Sequence, residues 1–491
     1  MAPVPEVIDT PIGSVVRRSS FPSGFVFGSA SSAYQYEGAA FKYGKGASIW
    51  DIYTHKYPER IDDRSNGDVA LDSYHRYKEY IAIMKQIGLD VYRFSIAWTR
   101  ILPYGRLSGG VNREGIQYYN NLINELLANG IKPFVTIFHW DVPQALQDEY
   151  QGPMNRQFVN DFREFAELCF KEFGDRVKHW ITLNEEYIFT LKGYVLGQYA
   201  PGRGLEWDPS RYIGGDSGTE PYFVGHHLIL AHAAAVNVYR TKYQANQKGI
   251  IGLSFAINWY VPYSDSEADR AAAGRALDFS LGWFLHPLVY GDYPRSMRFN
   301  VKERLPKFTA DEVASMIQSF DFIGINYYTA NYAKNNPNMI IPKPSYLNDI
   351  HATLSTDRNG VPIGPKAGPS SWLAVYPQGL KDLLVYIKNM YRDPTIYITE
   401  NGYFDYDSPN VDKLIMDKAR IKYYHDHLYY LHEAMNAGVR VKGYFVWTLL
   451  DDFEWASGYT IRFGMTYVDF KNNLKTLLKE SAIWFNNFLK T

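Results

Sequence analysis

Two neighbouring glutamates, Glu185 and Glu186, follow an apolar and β-branched run in the segment HWITLNEEYIFT (179–190). A third glutamate, Glu400, ends a similar run in TIYITENG (395–402). A carboxyl group at a fixed position can donate a proton, accept one or act as a nucleophile, but it needs a second group to complete a reaction. The question is which of the two neighbouring glutamates meets Glu400 in the folded chain.

Apolar runs of strand length recur eight times and alternate with segments of helical periodicity. The strand-like runs span 25–38, 90–100, 132–140, 177–185, 251–259, 321–329, 395–402 and 441–450. The helical segments span 68–87, 114–129, 157–173, 221–243, 267–288, 310–320, 414–436 and 481–489. This alternation predicts an α/β fold, a single (β/α)8 TIM barrel with its helices outside. A doubly wound open sheet is the alternative, but no G-x-G-x-x-G turn follows any of the runs.

The predicted barrel domain occupies residues 21–491, and residues 1–20 are predicted to be a flexible N-terminal segment. Two stretches rich in Gly, Pro, Ser and Asn, about 190–220 and 330–370, follow the fourth and sixth strands. In a barrel such stretches are loops on the active-site face. We therefore predict long active-site loops that form the walls of a cleft.

The composition argues against several classes of function. The 51 basic and 52 acidic residues give a net charge of −1, which provides no electrostatic reason to bind nucleic acid or an anionic membrane. No run approaches the roughly 20 apolar residues of a membrane span, and the prolines and charges of the first 20 residues are not those of a secretory signal. Cys169 is the single cysteine, so neither an internal disulfide nor a cysteine metal site is expected. These features favour a cytoplasmic protein, and a nuclear location stays open if a basic tail was trimmed.

Polar and aromatic side chains stand at the ends of the predicted strands, where barrel enzymes carry their catalytic groups. They are Gln35, Arg93, His139, Trp140, Asn184, Glu185, Asn326, Tyr328, Glu400 and Trp447, with Glu454 and Trp455 just beyond the eighth strand. Two carboxyl groups that face each other across such a cleft suit the hydrolysis of a glycosidic bond. One protonates the leaving oxygen, and the other attacks the anomeric carbon or activates water. Because this chemistry requires no metal, we predict neither a metal nor a cofactor.

Several motifs resemble those of the retaining β-glucosidases of glycoside hydrolase family 1, from about Phe21 to the C-terminus. They are FVFGSASSAYQYEGA, FHWDVPQAL, TLNE, GINYYT, ITENG and LLDDFEWASGYTIRFG, in this order. The resemblance implies that Glu185 is the acid/base and Glu400 the nucleophile. It implies that Arg93 and Tyr328 contact Glu400 and lower its pKa, with support from Asn326. The implied sugar-binding residues are Gln35, His139, Asn184, Glu454 and Trp455, with Trp447 below the sugar and Trp140 beside His139.

Other stretches, among them GRLSGGVN (105–112) and STDRNGVPIGP (355–365), resemble plant alkaloid glucosidases of the strictosidine and raucaffricine type. The implied partner is a small-molecule β-glucoside of a plant specialised metabolite, here a monoterpene-derived alkaloid. Trp372 would line the aglycone side, with Tyr187, Phe189, Phe223 and Met297 as weaker candidates. The alternatives are a broad-specificity β-glucosidase for phenolic or other aryl glucosides, a transglucosidase and a non-catalytic glucoside-binding protein. The sequence leaves a homo-oligomer open.

Two residues depart from the pattern of the resembled family. Glu186 replaces the proline that usually follows the acid/base, and Asp452 replaces the usual asparagine in LLDDFEW. Because neighbours on an extended strand point to opposite sides, we predict that Glu186 faces away from the cleft, towards the barrel–helix layer or solvent. A nearby ionised carboxylate raises a pKa, so Glu186 is expected to raise the pKa of Glu185.

Overall fold

The computed structural model describes residues 15–338, 343–368 and 371–491. Its central strands are β1 (Val26–Ala30), β2 (Val91–Ser95), β3 (Lys132–Phe138), β4 (His179–Asn184), β5 (Ile250–Ala256), β6 (Phe322–Asn326), β7 (Ile396–Asn401) and β8 (Val441–Val446). They form a closed parallel barrel in which each strand pairs with its neighbours in the chain and β8 pairs with β1. The prediction of a single (β/α)8 barrel is confirmed.

Helices surround the barrel. Those of seven residues or more are α1 (Ile49–Lys56), α2 (Ser73–Ile87), α3 (Arg113–Ala128), α4 (Gln144–Tyr150), α5 (Gln157–Phe173), α6 (Glu186–Tyr194), α7 (Glu220–Val238), α8 (Glu267–Leu277), α9 (Trp283–Tyr290), α10 (Arg295–Val301), α11 (Ala310–Met316), α12 (Gln378–Met390), α13 (Lys418–Asn436) and α14 (Glu480–Leu489). In α5 the buried Phe158, Phe162, Phe165 and Cys169 recur every three or four residues, so one face packs inward. Among the helices of the described ranges, none combines the length and apolar composition that crossing a membrane requires.

The sequence did not predict all of these elements. Helix α12 was missed, although Leu380, Leu383, Leu384 and Ile387 have helical spacing and are buried. The stretch 330–370 was predicted to be irregular, but it contains two strands of a small sheet. That sheet pairs Trp259–Pro262, Ala330–Asn335 and Ala352–Ser355. Its strands have only four to six residues and mixed polarity, so they lack the long apolar runs that identify the barrel strands.

Aromatic rings fill the barrel interior below the strand ends. The Phe134 ring stacks on His179 with 4.0 Å between ring centroids, and it lies 4.9 Å from Phe445 and 5.3 Å from Tyr397. Phe134, His179 and Tyr397 lie in the first half of their strands, and Phe445 lies near the end of β8. Side chains of this size make the barrel a packed core rather than a pore, so a cavity has room only at the C-terminal ends of the strands.

Part of the predicted N-terminal segment lies outside the described residues, namely 1–14. Within the rest, Arg18–Ser20 form a short 3-10 helix, and the Arg18 guanidinium donates to the Phe25 carbonyl at 2.8 Å. The boundary between this segment and the barrel domain stays a prediction.

Candidate active site

A cavity of about 340 Å³ opens at the C-terminal ends of the barrel strands. Of the residues predicted at or just beyond the strand ends, together with Trp372, all but Gln35, Arg93 and Asn184 line this cavity. The ones that line it are His139, Trp140, Glu185, Asn326, Tyr328, Trp372, Glu400, Trp447, Glu454 and Trp455. The other three are buried behind the wall and bond to residues in it.

Strand pairing positions Glu400. This residue lies one position before the end of β7 and pairs with Asn326, the last residue of β6. Gly402 follows shortly after, and a Cβ at this glycine would lie 2.0 Å from the carbonyl oxygen of Trp447. The small residue therefore lets the end of β7 approach the end of β8 closely while Glu400 faces the cavity.

A sharp turn positions Glu185. It lies directly after β4, and its φ of 53° and ψ of 55° are those of the left-handed region, which costs a non-glycine residue roughly 1 kcal/mol. Its backbone N–H donates to the Ser254 carbonyl at 2.8 Å, which extends the pairing of β4 with β5 by one residue. Helix α6 then begins at Glu186. The chain thus changes from strand to helix at Glu185, whose side chain projects into the cavity.

The Glu400 carboxyl group is bound by a cation and a phenol. Arg93 Nη1 donates to Oε1 at 2.5 Å, and the Tyr328 hydroxyl donates to Oε2 at 2.7 Å. The two contacts implied by the resemblance are therefore present, but their net effect differs from the expected one. Burial raises the pKa of Glu400 above its ordinary value, and Arg93 and Tyr328 offset only part of that increase.

Glu185 has no cation in direct contact among its described partners. Asn326 Nδ2 donates to Glu185 Oε1 at 2.8 Å, and Asn326 is the residue that pairs with Glu400 between β6 and β7. Burial raises the pKa of Glu185 well above its ordinary value, and the charge of Glu400 raises it further. Because only Glu400 has the bound cation, the shared negative charge belongs on Glu400 and the proton on Glu185.

Asn184 orients the imidazole of His139. Its Oδ1 accepts hydrogen bonds from Arg93 Nη2 and from Asn326 Nδ2, the latter at 3.1 Å. Asn184 Nδ2 must then donate to His139 Nε2, which lies at 3.1 Å. Burial and the charge of Arg93 hold the pKa of His139 well below its usual range, so the ring is neutral and its proton is on Nδ1. That Nδ1–H has no partner among the described residues and is free to donate to a ligand.

Glu454 lies in a second group of buried carboxyl groups. Gln35 Nε2 donates to its Oε2 at 3.2 Å, and the Trp447 indole and Asp452 lie close enough to influence its pKa. Burial and the charge of Glu400 raise the pKa of Glu454 to about 8. Burial, followed by the charge of Glu454, raises the pKa of Asp452 well above its ordinary range. Neither Asp452 oxygen has a hydrogen-bond partner among the described residues, and the negative charge of Glu454 opposes ionisation of Asp452, so the unusual Asp452 makes this part of the wall sensitive to pH.

Tryptophan rings close the inner end of the cavity. Trp455 lies 4.5 Å from Trp140 and 4.6 Å from Trp50 between ring centroids, and it stacks on His139 at 5.8 Å. The Trp140 indole N–H donates to the Asn184 carbonyl at 2.8 Å. Trp140 therefore supplies a ring face to the cavity while its polar atom braces the end of β4.

The mouth of the cavity differs in part from the prediction. Trp372 and Tyr187 line it, and the Trp372 side chain is half exposed. Phe189 and Met297 are buried outside it, and Phe223 is exposed elsewhere, so these three candidates were wrong. Wall residues that the sequence reasoning missed are Ile188, Leu191, Lys192, Tyr199, Ala256, Ile257, Asn258, Tyr260, Leu354, Ser457, Ile461 and Phe463. The recurrence of 188, 191 and 192 at helical spacing after Glu185 was the available signal for three of them.

Glu186 is buried and does not line the cavity. The prediction that Glu186 faces away from the cleft is confirmed, but strand alternation is not the reason, because the strand has already ended and Glu186 is the first residue of α6. The Glu186 side chain is not exposed to solvent, and neither of its carboxyl oxygens has a hydrogen-bond partner among the described residues. Burial raises the pKa of Glu186 well above its ordinary value, which favours its neutral form. The charge of Glu185 also raises the pKa of Glu186, so the two carboxyl groups interact, but the main causes of the raised pKa of Glu185 are burial and the charge of Glu400.

Comparisons with known proteins agree with this geometry. The sequence profile of glycosyl hydrolase family 1 matches residues 17–491. The chain is 56% identical to β-glucosidase 12 of Oryza sativa subsp. indica, over 96% of this chain and 93% of that protein. It is 52% identical to raucaffricine-O-β-D-glucosidase of Rauvolfia serpentina, over 98% of this chain and 93% of that protein. A solved structure of a rice β-glucosidase mutant in a covalent complex with Glc superposes with a TM-score of 0.95 at 50% identity, covering 97% of this chain and 100% of that one.

These matches establish the enzyme family, but they do not identify the substrate. The rice β-glucosidase is more similar to this chain than the raucaffricine enzyme is, so the similarity does not single out the alkaloid subtype. The family profile, in contrast, covers nearly the whole chain. The chain belongs to glycosyl hydrolase family 1 and is a retaining β-glucosidase.

Proposed function

We propose that this protein hydrolyses the β-O-glucosidic bond of a plant specialised metabolite with a bulky, ring-containing aglycone, with Glu400 as nucleophile and Glu185 as acid/base. The observation that carries the assignment is the difference between the two carboxyl groups. Both face one cavity, but Glu185 accepts from the Asn326 amide, whereas only Glu400 is bound by a guanidinium and a phenol.

In the first step, a Glu400 oxygen attacks the anomeric carbon while Glu185 gives its proton to the leaving oxygen. The glycosidic C–O bond breaks, the aglycone leaves as a neutral alcohol or phenol, and glucose becomes an ester of Glu400. The ester carries no charge. Since the charge of Glu400 is one cause of the raised pKa of Glu185, that pKa falls in the intermediate.

In the second step, Glu185 is ionised and accepts a proton from water. The water oxygen attacks the anomeric carbon, the ester bond breaks, and glucose leaves with Glu400 again ionised and Glu185 again protonated. Arg93 and Tyr328 stabilise the carboxylate that this step releases, because both already bind its two oxygens.

Recognition of glucose is assigned to the inner wall. The unpartnered Nδ1–H of His139 supplies a donor, and the Glu454 carboxyl group supplies an acceptor next to the Trp447 indole. The ring faces of Trp447 and Trp455 suit the apolar faces of a sugar.

Two observations bear on the aglycone. The half-exposed Trp372 ring lies 6.0 Å from Tyr328 and 5.8 Å from Phe404, which supports a flat, ring-containing group at the mouth. Similarity to the raucaffricine enzyme supports an alkaloid glucoside, whereas the higher similarity to a rice protein named only as a β-glucosidase favours no particular aglycone and keeps other aryl glucosides as the alternative. Hydrolysis of a panel that runs from simple aryl glucosides to alkaloid glucosides separates these two substrate classes. Analysis of the products in the presence of added alcohols tests transglucosylation.

Trapping tests the mechanism. A 2-deoxy-2-fluoro β-glucoside with a good leaving group slows the second step, so the glucosyl ester accumulates. Peptide mass mapping is expected to locate the adduct on Glu400. A matched Glu400→Gln variant should give no adduct. An adduct on Glu185, Glu186 or Glu454, or none on any carboxylate, contradicts the assignment.

A further inference from the structure

The charged groups of the cavity are unevenly distributed. Three carboxyl groups, those of Glu185, Glu400 and Glu454, lie at the inner end, where glucose is expected. Among the described residues that line the rest of the cavity, Lys192 carries the single charged side chain, and its neighbours there are apolar, aromatic or neutral polar groups. The outer wall thus has one cation and no carboxylate within the part of the chain that the structure describes.

Helix α6 fixes the position of this cation relative to the reacting bond. Lys192 follows Glu185 by seven residues, which in an α-helix corresponds to about 10 Å along the axis and to roughly the same face. Ile188 and Leu191 line the cavity from the same face. A glucose ring bound at Glu185 and Glu400 would occupy the inner part of this distance, so Lys192 lies beside the aglycone.

The Lys192 ammonium group is only partly satisfied within the protein. One N–H donates to Gln198 Oε1 at 2.7 Å, and the ammonium lies 5.6 Å from the centre of the Tyr199 ring. No ion pair joins it to a carboxylate among the described residues. Burial lowers the pKa of Lys192, as expected for an ammonium that lacks a negative partner. Two of its three donors remain for a ligand.

The backbone around Lys192 holds the side chain in place. The Lys192 carbonyl accepts hydrogen bonds from the N–H groups of Gln198 and Tyr199, at 2.8 and 3.1 Å. These are the same two residues that the ammonium contacts. A purely structural role would be to clamp this loop to α6. However, the backbone bonds already do so, and the side chain still faces the cavity.

We propose that Lys192 determines which aglycones this β-glucosidase accepts: its ammonium group binds a carboxylate or other oxygen acceptor on the aglycone and disfavours aglycones that carry a protonated amine. The inference rests on the proposed function of the same cavity and narrows its substrate class. An anionic oxygen would supply the missing negative partner, whereas an ammonium group at the same place would meet a like charge in a partly desolvated site. An alkaloid glucoside would fit only if its nitrogen were uncharged or lay away from Lys192.

A matched set of substrates tests the proposal. The set consists of β-glucosides of three para-substituted phenols whose two-carbon side chain ends in a carboxylate, a hydroxyl group or an ammonium group. The measured quantity is the ratio of kcat/KM for the carboxylate substrate to that for the ammonium substrate, at pH 6.5 and low salt. We expect a ratio of about tenfold for the unaltered protein, because attraction and repulsion both contribute.

The variants separate charge from structure. Lys192→Met should reduce the ratio at least about fivefold, Lys192→Glu should invert it, and Lys192→Arg should keep it, since arginine restores the cation. Lys171→Met removes the same charge from the exposed surface and should leave the ratio unchanged. If the methionine variant does not fold, Lys192→Glu and Lys192→Arg still decide the outcome through the sign of the change.

The outcomes distinguish the two proposals. Hydrolysis of all three glucosides with a ratio near one, or a ratio that Lys192→Met and Lys192→Glu do not alter, overturns the role of Lys192 and leaves the proposed function standing. Failure to hydrolyse any of the three, together with no adduct from the fluoro-glucoside, contradicts the proposed function itself. A preference for the ammonium substrate also overturns the inference and would return the alkaloid glucosides to first place.

Discussion

At the inner end of the cavity, Glu185 and Glu400 lie at barrel strand ends and bond to a buried set of partners, Arg93, Asn326 and Tyr328. At the mouth, Lys192 comes from a helix and Trp372 from a loop, and Trp372 is half exposed. The inner groups are fixed by strand pairing, whereas the outer ones depend on the helix and the loop that follow the barrel strands. The inner end is therefore built for one reaction, and the mouth is the part that a change of substrate would alter.

The largest effect is expected from Glu400 itself. Glu400→Ala removes the nucleophile and should lower kcat/KM by at least about 10⁴-fold. Glu185→Ala should cost about 10²- to 10⁴-fold on substrates with poor leaving groups, since acid assistance is lost. Added azide distinguishes the two roles, because it attacks the opposite faces of the sugar in the two variants. Glu185→Ala should yield β-glucosyl azide and Glu400→Ala the α anomer, and the reversed result would exchange the assignments.

A smaller effect is expected from Tyr328, which binds Glu400 without reacting. Its hydrogen bond lowers the pKa of Glu400 against the opposing effect of burial. Tyr328→Phe should therefore raise that pKa, move the acidic limb of the kcat/KM profile to higher pH and reduce the rate about tenfold at its optimum. Tyr327→Phe is a matched control, since the Tyr327 hydroxyl donates to the Tyr376 carbonyl outside the site. An equal shift in both variants would attribute the effect to packing.

Asp452 tests whether the inner end depends on a shared proton. The pKa of Glu454 is raised to about 8, and Asp452 lies beside it as a second buried carboxyl group. Asp452→Asn supplies an amide donor that needs no proton, so the pKa of Glu454 should fall. The inflection in KM near pH 8 should then move to lower pH, with a change of about threefold or less in kcat/KM at pH 6. A profile of KM from pH 5 to 9 that is identical in both proteins would exclude the coupling.

Trp372 tests the mouth alone. Trp372→Ala removes a ring face and should raise KM for a bulky aryl glucoside about three- to tenfold, as expected for the loss of an aromatic contact. The rate at which the glucosyl ester is hydrolysed should not change, because the aglycone has already left. Pre-steady-state measurements separate the formation of the glucosyl ester from its hydrolysis. Methyl β-glucoside serves as the control substrate, because its aglycone has no ring. An equal loss for both substrates would place the effect at the inner end instead.

The sequence predicted the inner end of the cavity better than its mouth. All eight barrel strands were predicted, because fully buried parallel strands appear as apolar runs, and their ends gave Glu185, Glu400 and Asn326. The net upward shift in the pKa of Glu400 was not predicted, since the depth of burial cannot be inferred from neighbouring residues in the chain. Lys192 was missed because residues from about 190 onwards were predicted to form a loop, whereas α6 follows β4 directly and continues to Tyr194.

Glu186 gives the smallest expected effect and the sharpest contrast with its neighbour. It is buried outside the cavity, where burial favours its neutral form, so Glu186→Gln should change kcat/KM less than about twofold, against the large loss for Glu185→Gln. The pKa of Glu186 in the folded protein lies above its value of about 4.3 in the unfolded chain. The stability that neutral Glu186 contributes is therefore fully present below a pH of about 4.3, and it is lost as the pH rises through the folded pKa. Glutamine stays neutral and avoids this loss. The Tm of Glu186→Gln relative to the unaltered protein should therefore rise by about 1–2 °C between pH 4.5 and pH 7.5, measured by thermal unfolding. A difference that is constant across this range would show that Glu186 is ionised in the folded protein at ordinary pH, which would also restore its predicted influence on Glu185.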